Sequence, residues 1–343
     1  MFRHNRARFE VAAVHYDDEA LGESLVADDY PFDGSVEGPF LTRLEALTWG
    51  DYDRARLDES DRLTRQLADL IIDACLPEMQ RLAPPSAPLT AAAPETLHGH
   101  LYPDTYTLQV LTKDRKLVSR PLDKDMIPPT PPLSVSGEKL SAMGLDLETT
   151  RLRVFQASQV VLAQYLQGGG VWRATVDGQE VVYKSLLHPF KNIMGNELAT
   201  YLKLEASGLP LKIPQLKGIV KSHVGVVGML LAYIPHEHHS LRVLLDKAPH
   251  EATAALRQKW AGQIRDTVGV LHGLGILWLD IKTDNVLIDD AGDAVVLDFG
   301  GGNTVGWIDR DKYGTMEGER HGLGKVMAAL GVEDDGSGEV GSS

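Results

Sequence analysis

The 343-residue sequence predicts an α+β fold in two lobes: a small antiparallel β lobe carrying one helix, then a mostly helical lobe. A helix and a hairpin stand in a separate region before them. Three observations carry this prediction. Short apolar strands recur between Leu152 and Ile234, interrupted by a single helical stretch. The clearest helical periodicity of the chain follows, over Glu251–Leu274, where Leu256, Trp260, Ile264, Val268 and Leu271 recur every three or four residues. A polar loop and tight hairpin, Leu277–Gly302, lie next to it.

Composition sets the bounds. Hydrophobic residues make up 43% and charged residues 24%, as in an ordinary globular protein with room for two domains. The lone cysteine, Cys75, excludes an internal disulfide framework and fits a reducing compartment. No apolar run reaches the length of a membrane span, and the basic start MFRHNRARFE lacks an apolar core, so no secretory signal is expected. A cytoplasmic location is expected, with the nucleus left open. The net charge of −14 is uneven: residues 1–150 hold 15 Lys and Arg against 26 Asp and Glu, and the remainder 19 against 22. That balance speaks against nucleic acid or an anionic membrane as partner.

Taken in order, residues 1–59 show little periodicity and read as extended or poorly ordered, with short helices and a basic tip at Arg3, Arg6 and Arg8. A helix is predicted over about residues 60–82, from an N-cap at Ser60 or Asp61, with Leu63, Leu67, Leu70, Ile71, Ala74 and Cys75 on its apolar face. Pro77 should end or kink it. On that face Cys75 is expected to be buried and inert. Tyr106–Leu111 and Leu117–Arg120 alternate around Lys-Asp-Arg-Lys as a hairpin. Met126–Gly137 places four prolines within five residues and reads as a spacer. The expected division is therefore an acidic N-terminal region of unknown function (1–125), a Pro-rich linker (126–150), a two-lobed domain (151–331) and a disordered tail (332–343). The N-terminal region is a candidate for engaging a protein partner.

Within the two-lobed domain, strands are predicted at Leu152–Phe155, Val160–Leu166, Val171–Val176 and Glu180–Leu186, with a turn at Asp177-Gly178. Gly168, Gly169 and Gly170 join two of them and could lay backbone N–H groups over phosphate oxygens. A helix should run from Asn192 to Ala206, and Val224–Ile234 is long enough for two short strands. Short helices are expected at Ser240–Leu245 and Gly322–Gly331.

The chemistry concentrates in Leu277–Gly302. Asp280, Lys282, Asn285 and Asp298 stand at fixed offsets around the apolar segments Val286–Ile288 and Ala294–Leu297. A hairpin there brings Asn285 and Asp298 to the same end of the strand pair. An amide and a carboxylate oxygen meeting at that end suit a hard cation such as Mg²⁺. The histidines, His236, His238 and His239 among them, show no His/Cys spacing of a zinc site. His272, ending an apolar helix, is expected to pack or cap, and Trp307 to pack, rather than react.

These residues resemble the protein-kinase superfamily. Asp280, Lys282 and Asn285 match its catalytic loop, and Asp298-Phe299-Gly300, 13 residues after the Asn, matches its metal-binding triplet. Lys184 in V-V-Y-K resembles the phosphate-pairing lysine of the third strand, with Glu197 as its helix partner. Gly168–Gly170 stands where the glycine-rich loop belongs. W-L-D-I-K-T-D-N-V-L-I followed by D-F-G-G-G-x-T-x-G-W is similar, more closely, to a group of fungal kinase-like proteins. The likeness covers about residues 150–330.

The resemblance implies ATP and Mg²⁺ as cofactors. Asp280 would orient a hydroxyl and Lys282 neutralise the transferred group. Asn285 and Asp298 would hold the metal, and Lys184, paired with Glu197, would grip phosphates. Leu231, Ala232, Tyr233 and Ile234 would face adenine. It implies a Ser/Thr-type phosphotransferase whose acceptor is a hydroxyl on a protein or a small molecule. Two alternatives stand beside it: a nucleotide-binding pseudokinase acting as an interaction module, and a small-molecule kinase of the aminoglycoside or choline type, against which Lys282 argues. Trp278-Leu279 replaces the usual His-Arg, which implies no phosphate switch of that kind. Glu319 stands where the family's structural Asp is expected. Only 45 residues follow Asp298, which implies a nucleotide cleft without a full peptide-docking platform.

Overall fold

The computed structural model describes residues 2–13, 36, 38–48, 54–84, 94–122, 134–135, 137–142, 146, 151–167, 170–186, 193–238, 240–302, 304, 306–309 and 311–333. The chain forms two compact units, Met1–Pro94 with His98–Pro131, and Glu95–Leu97 with Pro132–Ser343. The proline run at 128–132 and residues 334–343 lie outside the described residues, as do Gly168 and Gly169.

In the first unit, β1 (Phe2–His4) and β2 (Ala7–Ala13) form a hairpin. Then come α1 (Gly38–Thr48) and α2 (Arg54–Leu82), the short α3 (Leu97–Leu101), which spans the boundary of the unit, and the hairpin β3 (Thr105–Lys113) and β4 (Lys116–Pro121). The sheet runs in the order β1-β2-β3-β4, with β2 and β3 parallel. The strands at the N-terminus fit the extended reading of residues 1–59, and α1 fits the short helices expected there, but the pairing of the strands was not foreseen. Their turn is Asn5-Arg6, both at positive φ, the backbone of a primed two-residue turn. Without glycine, it gives no strong turn signal in sequence.

α2 is longer than predicted. It begins at Arg54, not at Ser60 or Asp61, and runs through Pro77. Proline removes one helical N–H, a local cost. Burial on both sides of it opposes that cost. Cys75 and Met79 pack with Phe9, Leu108 and Val110, and each large apolar side chain buried contributes about 1.5–3 kcal/mol. Burial raises the Cys75 thiol pKa, as expected of an inert core thiol.

The second unit holds the short α4 (Gly137–Ala142), a six-stranded sheet and a longer helix. The strands are β5 (Val154–Gln156), β6 (Val161–Gln167), β7 (Val171–Val176), β8 (Gln179–Ser185), β9 (Leu216–Ser222) and β10 (Gly225–Ala232). Their order is β5-β9-β10-β8-β7-β6, and α5 (Ile193–Ser207) is the helix. All neighbours are antiparallel except β5 and β9, so the predicted antiparallel lobe has one parallel edge pair. β9 was not predicted, because Lys217, Gly218 and Lys221 break its apolar run. Gly218 is required there: a Cβ would meet the Arg153 carbonyl oxygen at 2.4 Å. Val224–Ile234 contains one strand, not two.

The mostly helical part comprises α6 (Leu241–Lys247), α7 (Ala254–Gly273), the hairpin β11 (Val286–Ile288) and β12 (Ala294–Val296), and α8 (Met316–Leu330). Ser240, Thr253 and Thr315 cap the three helices, each accepting a backbone N–H with its hydroxyl. α8 starts well before the predicted Gly322 because Thr315 supplies that cap. One core runs from α5 through Trp260, Ile264, Val268 and Leu271 of α7 to Trp278, Phe299, Val326 and Leu330. Among the described residues, no helix is long and apolar enough to cross a membrane.

Candidate active site

A cleft of about 930 Å³ opens in the second unit, between its sheet and the β11–β12 hairpin. Val182 and Lys184 of β8 line one side, followed by Leu231, Ala232, Tyr233 and Ile234 at the end of β10. Asn285, Leu287, Leu297 and Asp298 line the other. The strand register places Lys184 opposite Met229. Beside it Tyr183 is buried and donates its hydroxyl to the Val227 carbonyl at 3.0 Å. This close packing requires Gly228, where a Cβ would lie 2.2 Å from the Tyr183 ring. Arg173 lies 4.6 Å from the Tyr233 ring centroid, holding that side chain at the cleft edge.

The first charged group in the cleft is Lys184 with two carboxylates. Its ammonium lies 2.7 Å from Glu197 Oε2 and 2.8 Å from Asp298 Oδ1. Burial acts to lower the Lys184 pKa, but the facing Glu197 and Asp298 charges outweigh it and hold the pKa above the ordinary lysine value. Burial raises the Glu197 carboxyl, against the pull of Lys184. Tyr201, one turn along α5, touches Phe299 edge-on at 5.5 Å, and its buried hydroxyl has no hydrogen-bond partner among the described residues. Burial first, then Glu197 and Asp298, push that phenol well above its usual value.

The second group surrounds Asp280, which is 7% exposed. Lys282 Nζ lies 2.6 Å from Asp280 Oδ2. Asn285 donates its amide N–H to the Asp280 carbonyl at 2.9 Å and to Oδ2 at 3.1 Å, leaving its amide oxygen for another partner. Thr304 donates to Asp280 Oδ1 at 2.9 Å and accepts from Lys282 at 2.8 Å. Gly302 passes within van der Waals reach: a Cβ there would lie 3.4 Å from the Asp280 carboxylate.

The scaffold beneath this loop is specific. Trp278 is fully buried and donates its indole N–H to the Leu297 carbonyl at 2.8 Å. Glu319 accepts the backbone N–H groups of Trp278 and Leu279. His272 also reaches Glu319, at 3.1 Å, a side-chain contact beside the packing or capping role expected from sequence. Trp307 packs against the core, as expected. Leu279 and Asp298 take left-handed φ of 71° and 62°, a local cost that the surrounding contacts must hold in place.

Of the residues singled out in sequence, Lys184, Glu197, Leu231, Ala232, Tyr233, Ile234, Lys282, Asn285 and Asp298 line this cleft, and Asp280 lies directly against Lys282. Gly170 has φ of +81° at the start of β7, and the cleft-lining residues around it are Leu166, Gln167 and Val171. Thr304 was quoted only as part of a run. Nothing in local patterning assigned it to Asp280, 24 residues earlier. Tyr201 falls at an apolar position of the helix predicted over Asn192–Ala206, and nothing in local patterning marks its hydroxyl.

The donor set fits a hard cation with a polyanion. Asp298 and the free amide oxygen of Asn285 are oxygen ligands, and Lys184 and Lys282 supply positive charge. The cleft volume falls within the range of small-molecule sites, about 300–1,000 Å³.

The fold and cleft thus define a class in outline: an α+β protein with a charged pocket between a sheet and a hairpin. In comparison with known proteins, no family model matches the chain. A 155-residue stretch is 29% identical to the serine/threonine-protein kinase PKH3 of Eremothecium gossypii, covering 42% of this chain and 20% of that protein. A 96-residue stretch is 30% identical to the protein of the same name from Saccharomyces cerevisiae, covering 25% of this chain and 10% of that protein. The chain therefore matches only a small part of each relative, and the similarity supports a distant kinase-like relationship.

Proposed function

We propose that this chain has a protein kinase-like two-lobed domain that binds Mg²⁺–ATP in the cleft and transfers its γ-phosphoryl group to a hydroxyl, as a Ser/Thr-type kinase. The observation that carries the reading is the convergence on one cleft of Lys184, Glu197 and Asp298 with Lys282 and Asn285, Asp280 lying against the last two. The likeness to serine/threonine kinases supports it from outside the structure.

Each residue has a role that follows from its chemistry. Lys184, held by the buried Glu197, binds phosphate oxygens as a fixed point charge. Asn285 and Asp298 hold the cation through oxygen. Asp280 accepts the proton of the attacking hydroxyl, and Lys282 neutralises charge growing on the transferred group. Leu231–Ile234, Val182 and Leu287 enclose a flat apolar ring. When bound, ATP would supply the phosphoryl group, and a Mg²⁺ held by Asn285 and Asp298 would supply positive charge against its phosphates.

A second reading, nucleotide binding without turnover, is favoured by one observation. The Thr304 hydroxyl already occupies Asp280 Oδ1, where an acceptor hydroxyl would dock. Thermal shift with Mg²⁺–ATP and phosphotransfer to a generic protein substrate separate the two, using wild type, Lys184→Met, Asp280→Asn and Asp298→Asn. The kinase reading expects binding to be lost in Lys184→Met and Asp298→Asn only, and turnover to be lost in all three. Wild-type binding without turnover leaves the second reading. Absence of binding overturns both.

A further inference from the structure

Away from the cleft floor, two segments of the second unit bring together a second set of metal-type donors. Glu237 and His238 follow β10 and its extension, while Glu251 sits in the turn before α7. One donor atom from each of these residues lies within 4.8 Å of the other two. We infer that Glu237, His238 and Glu251 form a binding site for a divalent transition ion, zinc(II) first among them.

The geometry is close to what zinc requires. Its bonds to histidine nitrogen and carboxylate oxygen are about 2.0–2.2 Å, which spaces tetrahedral ligands roughly 3.4 Å apart. His238 Nε2 and Glu251 Oε2 are already 2.8 Å apart. Glu237 closes the remaining gap by a rotamer change, since it is exposed. His250 lies beside this set, its Nε2 3.9 Å from Glu251 Oε1, but is not part of it.

Charge is the second, independent observation. Elsewhere in this unit several closely held carboxylates have a permanent cation, Lys184 on Glu197, Arg242 on Asp284, Lys212 and Lys259 on Asp293, while the buried Glu319 accepts two backbone N–H groups instead. The Glu251 carboxylate meets only His238 and His250, and Glu237 has no side-chain hydrogen bond or ion pair among the described residues. Two carboxylates converge on an imidazole with no lysine or arginine between them. A dication neutralises that set, and the imidazole nitrogen selects a borderline ion over Mg²⁺.

Such a site would act on the cleft from outside it. Ile234 and His236 line the cleft, three residues and one residue before the donor pair begins. Zinc would tie this connector to the turn before α7, closing the loop that contains α6. The ion would therefore stiffen one wall of the cleft and stabilise the folded chain by mass action.

The test uses the full chain without a histidine tag, stripped of metal, in excess Mg²⁺. Zn²⁺ is titrated against a chromophoric chelator while melting temperature is followed. About one equivalent should bind in preference to Mg²⁺ and raise the melting temperature. His238→Ala and Glu251→Gln should each weaken binding at least about tenfold. His223→Ala, in the exposed turn between β9 and β10, and Asp298→Asn, in the cleft, should not change it. A ring-nitrogen NMR shift of His238 on adding Zn²⁺ to wild type reads coordination without any variant. No stoichiometric uptake, equal uptake by the His238 and Glu251 variants, or loss of uptake in Asp298→Asn would each overturn the site.

Discussion

The Glu319 carboxylate accepts the backbone N–H of Leu279 at 2.8 Å, reaching from the first turn of α8 to the residue before Asp280. Its other oxygen accepts Trp278 N–H at 2.9 Å, and the side chain is 1% exposed. A buried anion thus satisfies two backbone donors in a segment whose Leu279 is held at positive φ. Glu319→Gln keeps only one acceptor oxygen and turns an N–H toward a donor. The expected loss is about 1–3 kcal/mol of unfolding free energy in urea. An unchanged denaturation midpoint would mean that the loop does not depend on this carboxylate.

The buried charges around Lys184 predict a reversal of sign. In the wild-type background, Glu197→Gln removes one partner of a buried pair and should destabilise, by at most about 3–5 kcal/mol because Asp298 remains. In a Lys184→Met background the same change removes one of two uncompensated carboxylates, so it should stabilise. A double-mutant cycle in urea reads this directly. Additive effects would show that the three groups are not coupled.

Thr304 orients Asp280 and Lys282 together. On the kinase reading, Thr304→Val should lower kcat about tenfold, or ~1.4 kcal/mol, with little change in KM for ATP, and Thr304→Ser should restore it. A rise in turnover would instead identify the hydroxyl as an obstacle to the acceptor.

Asp293 anchors the β11–β12 turn. Lys212, Lys259 and Gln263 all donate to it, and together they hold its carboxyl far below the usual carboxylate range. A depressed folded pKa contributes stability that is complete above the unfolded value of about 3.9 and fades as the pH falls toward the folded one. Wild type should therefore exceed Asp293→Asn in denaturation midpoint by the same margin from neutrality down to just above that value, and the margin should shrink below it. A margin that shrinks already between neutrality and that value would place the dependence on another group.

Legibility followed the range of the interactions. Helix α7 and the β11–β12 hairpin were readable because periodicity and turn chemistry act within a few residues. α2 was misjudged at its start, which lies at Arg54, while burial of Cys75 and Met79 carries the helix past Pro77 to the expected end at Leu82. β9 was missed because its glycine and lysines make sense only against Arg153, Phe155 and β10. Glu197 and Lys184 were singled out through a resemblance, as nothing in local pattern ties residues 13 apart on different elements.

By itself, the sequence determined the α+β character, the order of the polar residues and the short-range spacing of Asp280, Lys282 and Asn285. Those depend on local backbone preference and periodicity, which adjacent residues impose on one another. Only the tertiary structure decided that Thr304 meets Asp280, that Glu319 supports Leu279, and that Glu251 meets His238. These contacts join residues far apart in the chain, and packing of the core around Trp260, Trp278 and Phe299 sets the distances between them.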